Sequence, residues 1–453
     1  MINLDNFFKP KSIAIIGASR KKGKVGNVLV ENLLHSKFKG KIYPVNPKAD
    51  KILNLKCYKS VLSIKEKIDL AVLAIPAEIV LKTIKECNKK EIKDILIITA
   101  GFSEIGNTKL ENELKQYIEK NQIRMIGPNV LGILDSHTRL DTIFLPRTRL
   151  KRPEAGCISF VTQSGAAGSA VLDLATFEGH KFAKFISYGN ATTIDETDII
   201  EYLGNDKDTK VICLYIEGIK NGRKFMKILK EVTKKKPVIA IKGGISEQGS
   251  KATLSHTGSL AGDYKVYSGV FKQLNVVQAE NLEDMLDYTY VFERMLKPKG
   301  NRVQIITNGG GYGILSVDAI SKTKNLQLAQ LTEKTKNYLK KQFPKTVTVN
   351  NPIDLVGDAD NKRYELAINT CLQDNNVDIV LLIVLYQTPL LTFEITDLIA
   401  KEIHKSKKPI VIVSTGGEII NKFKKVLEEK GIVTYTFPHE AVKALSALAE
   451  YYL

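Results

Sequence analysis

No run of apolar residues in this 453-residue chain approaches the roughly 20 needed to cross a bilayer. The longest, Ile379 to Tyr386, has the length of a buried strand. The start, Met1-Ile-Asn-Leu-Asp-Asn-Phe-Phe8, lacks the basic flank and apolar stretch of a signal peptide. A cytoplasmic protein without membrane attachment is therefore expected. Cysteine is scarce and scattered. Cys57, Cys87, Cys157, Cys213 and Cys371 form no Cys-x-x-Cys and no Cys/His pairing, which removes a disulfide framework and a zinc site; no metal ligand is expected. Cys157 and Cys213 fall in apolar strand patterns and read as small core residues. Acidic residues are outnumbered, 49 against 67 Lys and Arg, for a net charge of +18. A nucleic-acid partner would use such an excess, but the lysines run along helix faces (Lys227, Lys230, Lys334, Lys340) without interleaved aromatics. The reading is a solvated basic surface and no nucleic acid, with phosphorylated small molecules as the partners that the charge suits.

What is present is alternation. Short β-rich runs and amphipathic helical stretches follow one another from end to end, which predicts parallel sheets covered by helices. Breaks at the proline-containing stretch around Pro146 and Lys151-Arg-Pro153, and at Lys297-Pro-Lys-Gly300, divide the chain into three series, 1–132, 150–297 and 300–453. The expected fold class is α/β with three consecutive doubly wound domains. A helix around Leu282 to Leu296 closes the second series, and two of the switch-point crevices are expected to face each other.

Phosphate chemistry enters at the strand-to-helix turns. After Ser12-Ile-Ala-Ile-Ile16 comes Gly17-Ala-Ser-Arg-Lys-Lys-Gly-Lys-Val-Gly26, where glycines let backbone N–H groups and a helix N-terminus approach a phosphate. The spacing is not Gly-x-Gly-x-x-Gly. The second strand ends Val45-Asn-Pro-Lys48, without the acidic residue that receives an adenosine ribose. Arg20, Lys24 and Lys48 supply positive charge suited to the several phosphates of coenzyme A, although a tight turn with solvated lysines has the same local look. Ile75-Pro-Ala77, Thr99-Ala-Gly-Phe-Ser-Glu104 and Gly127-Pro-Asn-Val-Leu-Gly132 also follow strands, so all four turns belong on one sheet edge. Gly17, Ser19, Arg20, Gly26, Asn46, Lys48, Ile75, Pro76 and Thr99 are the candidate CoA-binding residues, with Asn129 a candidate for substrate phosphate.

In the second series Thr162-Gln-Ser-Gly-Ala-Ala-Gly168 joins a strand to a helix, and Ser164, Gly165 and Ala166 open that helix as an anion site. The Gly-x-Ser-x-Gly elbow is absent, so Ser164 reads as a phosphate donor group and not as a nucleophile. Asp195, Glu196 and Asp198, after Ser187-Tyr-Gly-Asn190, read as the acidic first turn of a helix, with a cation site as the alternative. His256 sits in the polar, glycine-punctuated run Lys251-Ala-Thr-Leu-Ser-His-Thr-Gly-Ser-Leu-Ala-Gly262. An imidazole with a pKa near ~6.5 is largely neutral at pH 7 and able to accept a phosphoryl group. A solvated loop histidine presents the same local sequence. Glu217, at the end of Val211-Ile-Cys-Leu-Tyr-Ile216, is the candidate to orient that ring through one nitrogen, with an ordinary strand-end glutamate as the alternative.

Together these motifs resemble the alpha subunit of the ADP-forming acetyl-CoA or acyl-CoA synthetases, relatives of succinyl-CoA synthetase. The resemblance runs over Gly17-Ala-Ser-Arg20, Gly127-Pro-Asn129, Gln163-Ser-Gly165, Ser187-Tyr-Gly-Asn190, Lys242-Gly-Gly244, Ser255-His-Thr-Gly258, Thr307-Asn-Gly-Gly310 and Asn351-Pro-Ile-Asp354, essentially the whole chain. It implies a Rossmann-like CoA-binding domain, then a phosphohistidine ligase domain and a third ligase-CoA-type domain, both flavodoxin-like. It implies catalysis by His256 and Glu217 through an acyl phosphate and a phosphohistidine. No stretch looks like an ATP-grasp fold, so Mg2+ and ADP or ATP are expected on an ATP-grasp beta subunit, in a heterotetramer. Val130, Tyr386-Gln387 and His439 depart from the family pattern and blur acyl specificity. Two other readings compete: a non-catalytic CoA-binding regulatory protein on this scaffold, which Glu217 with His256 argues against, and a nicotinamide-dependent dehydrogenase, which Asn46-Pro47-Lys48 disfavours.

Overall fold

The computed structural model describes residues 2–246, 248–249 and 262–453; the run 250–261, and with it His256, lies outside the described residues. The chain divides into two compact units, Met1–Leu282 and Glu283–Leu453.

In the first unit the opening sheet is built from β1 (Ser12–Ile16), β2 (Lys41–Val45), β5 (Leu70–Leu73), β6 (Asp94–Ile97) and β7 (Arg124–Ile126), with the short hairpin β3 (Lys51–Ile52) and β4 (Leu55–Lys56) beside it. The order is β2-β1-β5-β6-β7 and every pair is parallel. Every residue of β1, β5 and β6 is buried. Such strands have no water-facing side, which is why they read as unbroken apolar runs. Two core clusters result. One, with Ala14, Leu73, Ile95 and Phe102, belongs to this sheet. The other is continuous from Leu29, Val72 and Ile126 through Val130 and Ile133 to Val161, Ile186, Leu214 and Ala240 of the next sheet.

That second sheet has the order β14-β13-β12-β10-β11-β8-β9. β10 (Ala155–Thr162), β11 (Phe182–Ser187), β12 (Val211–Ile216), β13 (Val238–Lys242) and β14 (Val277–Gln278) are parallel, while β8 (Ile133–Asp135) and β9 (Leu140–Asp141) add an antiparallel edge. These two edge strands come from the polar stretch that the sequence leaves between series. Ile133 and Leu140 are fully buried, and the charges are paired inside: Asp135 meets Lys184 of β11 at 3.3 Å, and Asp141 meets Arg147 at 2.9 Å and Arg152 at 3.0 Å. Cys213 is buried as expected, whereas Cys157 is half-buried.

The second unit carries β15 (Arg302–Thr307), β16 (Gln327–Leu328), β17 (Thr348–Val349), β18 (Ile353–Asp354), β19 (Ile379–Ile383), β20 (Ile410–Val413) and β21 (Thr434–Tyr435) in the order β17-β18-β15-β19-β20-β21, with β16 also paired to β15. β19 is wholly buried, as its apolar run requires. The helix Leu282–Arg294 works with this sheet: the Tyr290 hydroxyl donates to Ile432 O at 3.2 Å, and Lys443 pairs with Asp284 at 3.0 Å. The sequence reading attaches it to the preceding series; its aromatic face, with Tyr290 edge-on to Tyr435 and Phe292 edge-on to Tyr451, decides its packing. No helix among the described residues is long and apolar enough to cross a membrane.

Candidate functional site

At the end of β1 the chain turns at Gly17 with φ +93°, and a Cβ there would lie 2.1 Å from Ala74 O; a Cβ on Gly26 would lie 1.9 Å from Gly17 O. Only glycines permit helix α2 (Val25–His35) to start so close to the strand end. Ser19 accepts from Lys21 N at 3.1 Å, and its carbonyl accepts from Asn27 Nδ2 at 2.8 Å. Asn46, leaving β2, donates to Ala18 O at 2.7 Å and accepts from Lys48 N at 2.8 Å, and the exposed Arg20 donates to Lys48 O at 3.3 Å. The two turns are thus tied into one basic rim. Further along the edge, the Thr99 hydroxyl donates to Ile75 O at 2.7 Å and accepts from Ile75 N at 3.2 Å, Pro76 caps helix α3 (Ala77–Lys89), and Asn129 N donates to Thr99 O at 2.9 Å. The nine candidate CoA residues and Asn129 therefore share the C-terminal edge of one sheet.

That edge meets the second sheet. Asn129, held at φ +63°, donates to Asn190 Oδ1 at 3.3 Å, and Asn190 N and Thr192 N donate to Pro128 O and Gly127 O at 3.0 and 3.3 Å. Leu131 lies within 3.6 Å of where a Cβ on Gly165 would stand. Gly165 is the first residue of helix α5 (Gly165–Phe177), with Ser164 as its N-cap accepting from Ala167 N at 3.3 Å and Ala166 exposed in the first turn. An amide cluster with the positive end of a helix dipole is thus presented beside the Gly127–Gly132 turn, which suits a bound anion.

Sequence reasoning did not foresee the polar seam beneath this contact. Asn190 Nδ2 reaches Glu104 Oε2 at 2.7 Å and Glu111 Oε2 at 3.0 Å, Thr192 donates to Glu111 at 2.6 Å, and Lys220 Nζ donates to Asn190 O at 2.8 Å. Burial works to raise the Glu111 pKa, but the hydrogen bonds from Ser103, Thr192 and Asn190 outweigh it and hold the carboxyl below its ordinary range. The acidic trio behaves as expected, Asp195 capping helix α6 (Glu196–Asn205) and closing a capping box with Asp198.

Glu217 follows β12 and is buried, 6% exposed. Gln163, the residue before Ser164, accepts from Glu217 N at 2.9 Å and Gly218 N at 3.2 Å, so one side chain locks the carboxylate-bearing turn to the helix N-terminus. Around it stand Tyr215, pushed up to about 12 by burial and then by Glu217, and Tyr188, raised by burial and by Glu196 and Glu217. Lys242 ends β13, buried, with its ammonium on Glu217 O at 2.8 Å; burial lowers it to about 8. The signal for Lys242 was present in the sequence as a charge closing the apolar run Val238-Ile-Ala-Ile241. The structure thus brings Glu217, Gln163 and Ser164 together, while His256 lies outside the described residues.

Known proteins agree with this organisation. The CoA binding domain family matches residues 11–136, the succinyl-CoA ligase like flavodoxin domain residues 155–292, and the Ligase-CoA domain residues 303–452. The alpha subunit of acetate–CoA ligase (ADP-forming) II from Pyrococcus furiosus is 41% identical over 454 residues, covering 99% of this chain and 97% of that one. Acetate–CoA ligase (ADP-forming) from Methanocaldococcus jannaschii is 42% identical over 448 residues, which cover 98% of this chain but 62% of the longer relative. Among solved structures, the dinucleotide forming acetyl-coenzyme A synthetase 1 of Ca. Korarchaeum cryptofilum in complex with phosphate and ADP superposes with a TM-score of 0.93 at 35% identity, over 100% of this chain and 97% of that one.

Proposed function

Because this chain belongs to the family of ADP-forming acetate–CoA ligases, we propose that it is the alpha subunit of such an enzyme, interconverting acyl-CoA, phosphate and ADP with carboxylic acid, CoA and ATP, acetyl-CoA being the favoured thioester. The segments 1–132, 150–297 and 300–453 serve as CoA-binding, phosphohistidine and third ligase domains. The observation that carries this reading is the meeting of the CoA-type edge at Asn129 and Leu131 with the helix N-terminus at Ser164 and Gly165, locked through Gln163 to Glu217.

CoA phosphates bind at Gly17 to Gly26 with Arg20 and Lys48, which directs the thioester toward Asn129. Phosphate held on the amides of Ser164, Gly165 and Ala166 attacks the thioester carbonyl: a C–O bond forms, the C–S bond breaks, and CoA leaves as the thiol after taking a proton. A His256 ring nitrogen then attacks phosphorus, an N–P bond forms, and the carboxylate leaves. Glu217 holds the other ring nitrogen and so fixes the tautomer. The phosphoryl group passes to a nucleoside diphosphate on an ATP-grasp partner carrying Mg2+, in a heterotetramer. The test is incubation of the purified chain with acetyl-CoA and labelled phosphate: wild type should acquire an acid-labile, base-stable label, and His256→Ala should bind CoA but acquire none. Label persisting in the variant removes the histidine from the mechanism.

A further inference from the structure

Lys242 is 5% exposed, an unusual place for an ammonium. Its partners explain why it stays. Nζ donates to Glu217 O at 2.8 Å and to Gly243 O, and it sits 4.9 Å from the centroid of the Tyr267 ring. Tyr267 is held in turn, its hydroxyl accepting from Ile219 N at 3.1 Å, two residues past Glu217. On the other side a Cβ at Gly243 would stand 2.8 Å from the Tyr215 hydroxyl and 3.4 Å from Glu217 Cγ, so the chain leaving β13 passes directly against the glutamate stem. Parallel pairing places Ile216 opposite Lys242, which brings the two strand ends level. Lys242 therefore ties the turn that presents Glu217 to the end of β13 at Gly243.

We propose that Lys242 is a positioning residue for phosphoryl transfer, its ammonium tying the carbonyl of Glu217 to that of Gly243 and so fixing the turn that presents the Glu217 carboxylate against the end of β13. The inference rests on the proposed histidine chemistry. Loss of the proton turns two charge-assisted hydrogen bonds into weaker neutral ones, and a glutamine, whose amide nitrogen ends one bond short of the Lys242 Nζ, does not reach both carbonyls. A misplacement of about 1 Å of the turn that presents Glu217 can cost roughly a hundredfold in rate. The groups facing the ammonium are Tyr215 from β12, Glu217 just after it and Tyr267 from the helix Tyr264–Gln273, with Tyr188 and Glu196 behind them. Tyr215 titrates at about 12, Tyr188 and Tyr267 lie above their ordinary value, and Glu196 lies at about 7. Lys242, brought down to about 8, and Glu196, brought up to about 7, titrate in neighbouring ranges, and of these two Lys242 is the one bonded to the Glu217 carbonyl.

The experiment uses the enzyme assembled with its partner subunit and compares wild type, Lys242→Gln and Lys242→Arg. CoA affinity should be unchanged in both variants. Phosphohistidine formation from acetyl-CoA and labelled phosphate should fall roughly ten- to a hundredfold in the Gln variant. In wild type its rate should decline as pH rises through about 8. The Arg variant, whose guanidinium keeps its proton, should hold its rate past that point. A Gln variant that labels like wild type, or an Arg variant that keeps the wild-type alkaline decline, overturns the role. If the Gln variant does not fold, the pH profile of the Arg variant decides alone. Absence of label in wild type itself overturns the histidine chemistry, and this inference with it.

Discussion

Glu196 is 2% exposed at the start of α6, and burial, with Asp195 beside it, raises its carboxyl from 4.5 to about 7. An acid raised in this way binds its proton more tightly in the folded chain than in the unfolded one. Its contribution to stability is therefore complete below pH 4.5 and is lost as pH rises toward 7. Glu196→Gln removes the titration, so the variant should melt above wild type at about pH 8, by an amount on the order of 3 kcal/mol at most, and the advantage should vanish at about pH 4. Thermal melts at the two pH values check this; a difference independent of pH would assign the effect to packing. The acidic trio was legible as a helix start because capping is local, resting on Asp195 and its neighbours to Asp198. The burial of Glu196 was not, because Tyr188 and Lys220 reach it only through the fold. Lys242 differs in the same way from Glu217: a glutamate after a strand is visible in sequence, whereas its lysine partner depends on the register of β12 with β13.

At the scale of elements, the parallel strands announced themselves as apolar runs, and the turns after them fell on one edge as the doubly wound topology demands. The edge strands β8 and β9 stayed hidden, since three residues of Ile133–Asp135 and two of Leu140–Asp141 are too short for a periodic signal and include buried charges that read as loop. The glycine-rich turn carries a sharper consequence. Gly26→Ala drives a methyl group to 1.9 Å from Gly17 O, whereas Gly23, at φ +80°, has open space around its Cβ position. Gly26→Ala should therefore push α2 off the strand end and weaken CoA by roughly tenfold or more, while Gly23→Ala costs about 1 kcal/mol of stability and little affinity. Calorimetric titration with CoA separates the two. Equal affinity losses would mean that backbone freedom, and not close approach, governs this turn.

At the scale of the whole molecule, the proposed division of labour predicts that the purified chain binds CoA and forms the phosphohistidine but makes no ATP from ADP, synthesis appearing when an ATP-grasp polypeptide and Mg2+ are added. Coupled nucleotide assays with and without that polypeptide measure it, and ATP synthesis by the chain alone would contradict the division. The two strands recruited from the stretch after Gly132 bear on something different, the behaviour of a shortened chain. A polypeptide starting at residue 150 would keep the five parallel strands of the second sheet but lose the cover on β11, Phe182–Ser187, all six residues of which are buried in the intact molecule. It would also strand Lys184 without Asp135. An apolar strand with an open row of amides and carbonyls recruits another copy of itself. Such a fragment should self-associate more strongly than the intact chain in sedimentation. The linker seen in the sequence therefore works in the fold as the cover over the β11 edge.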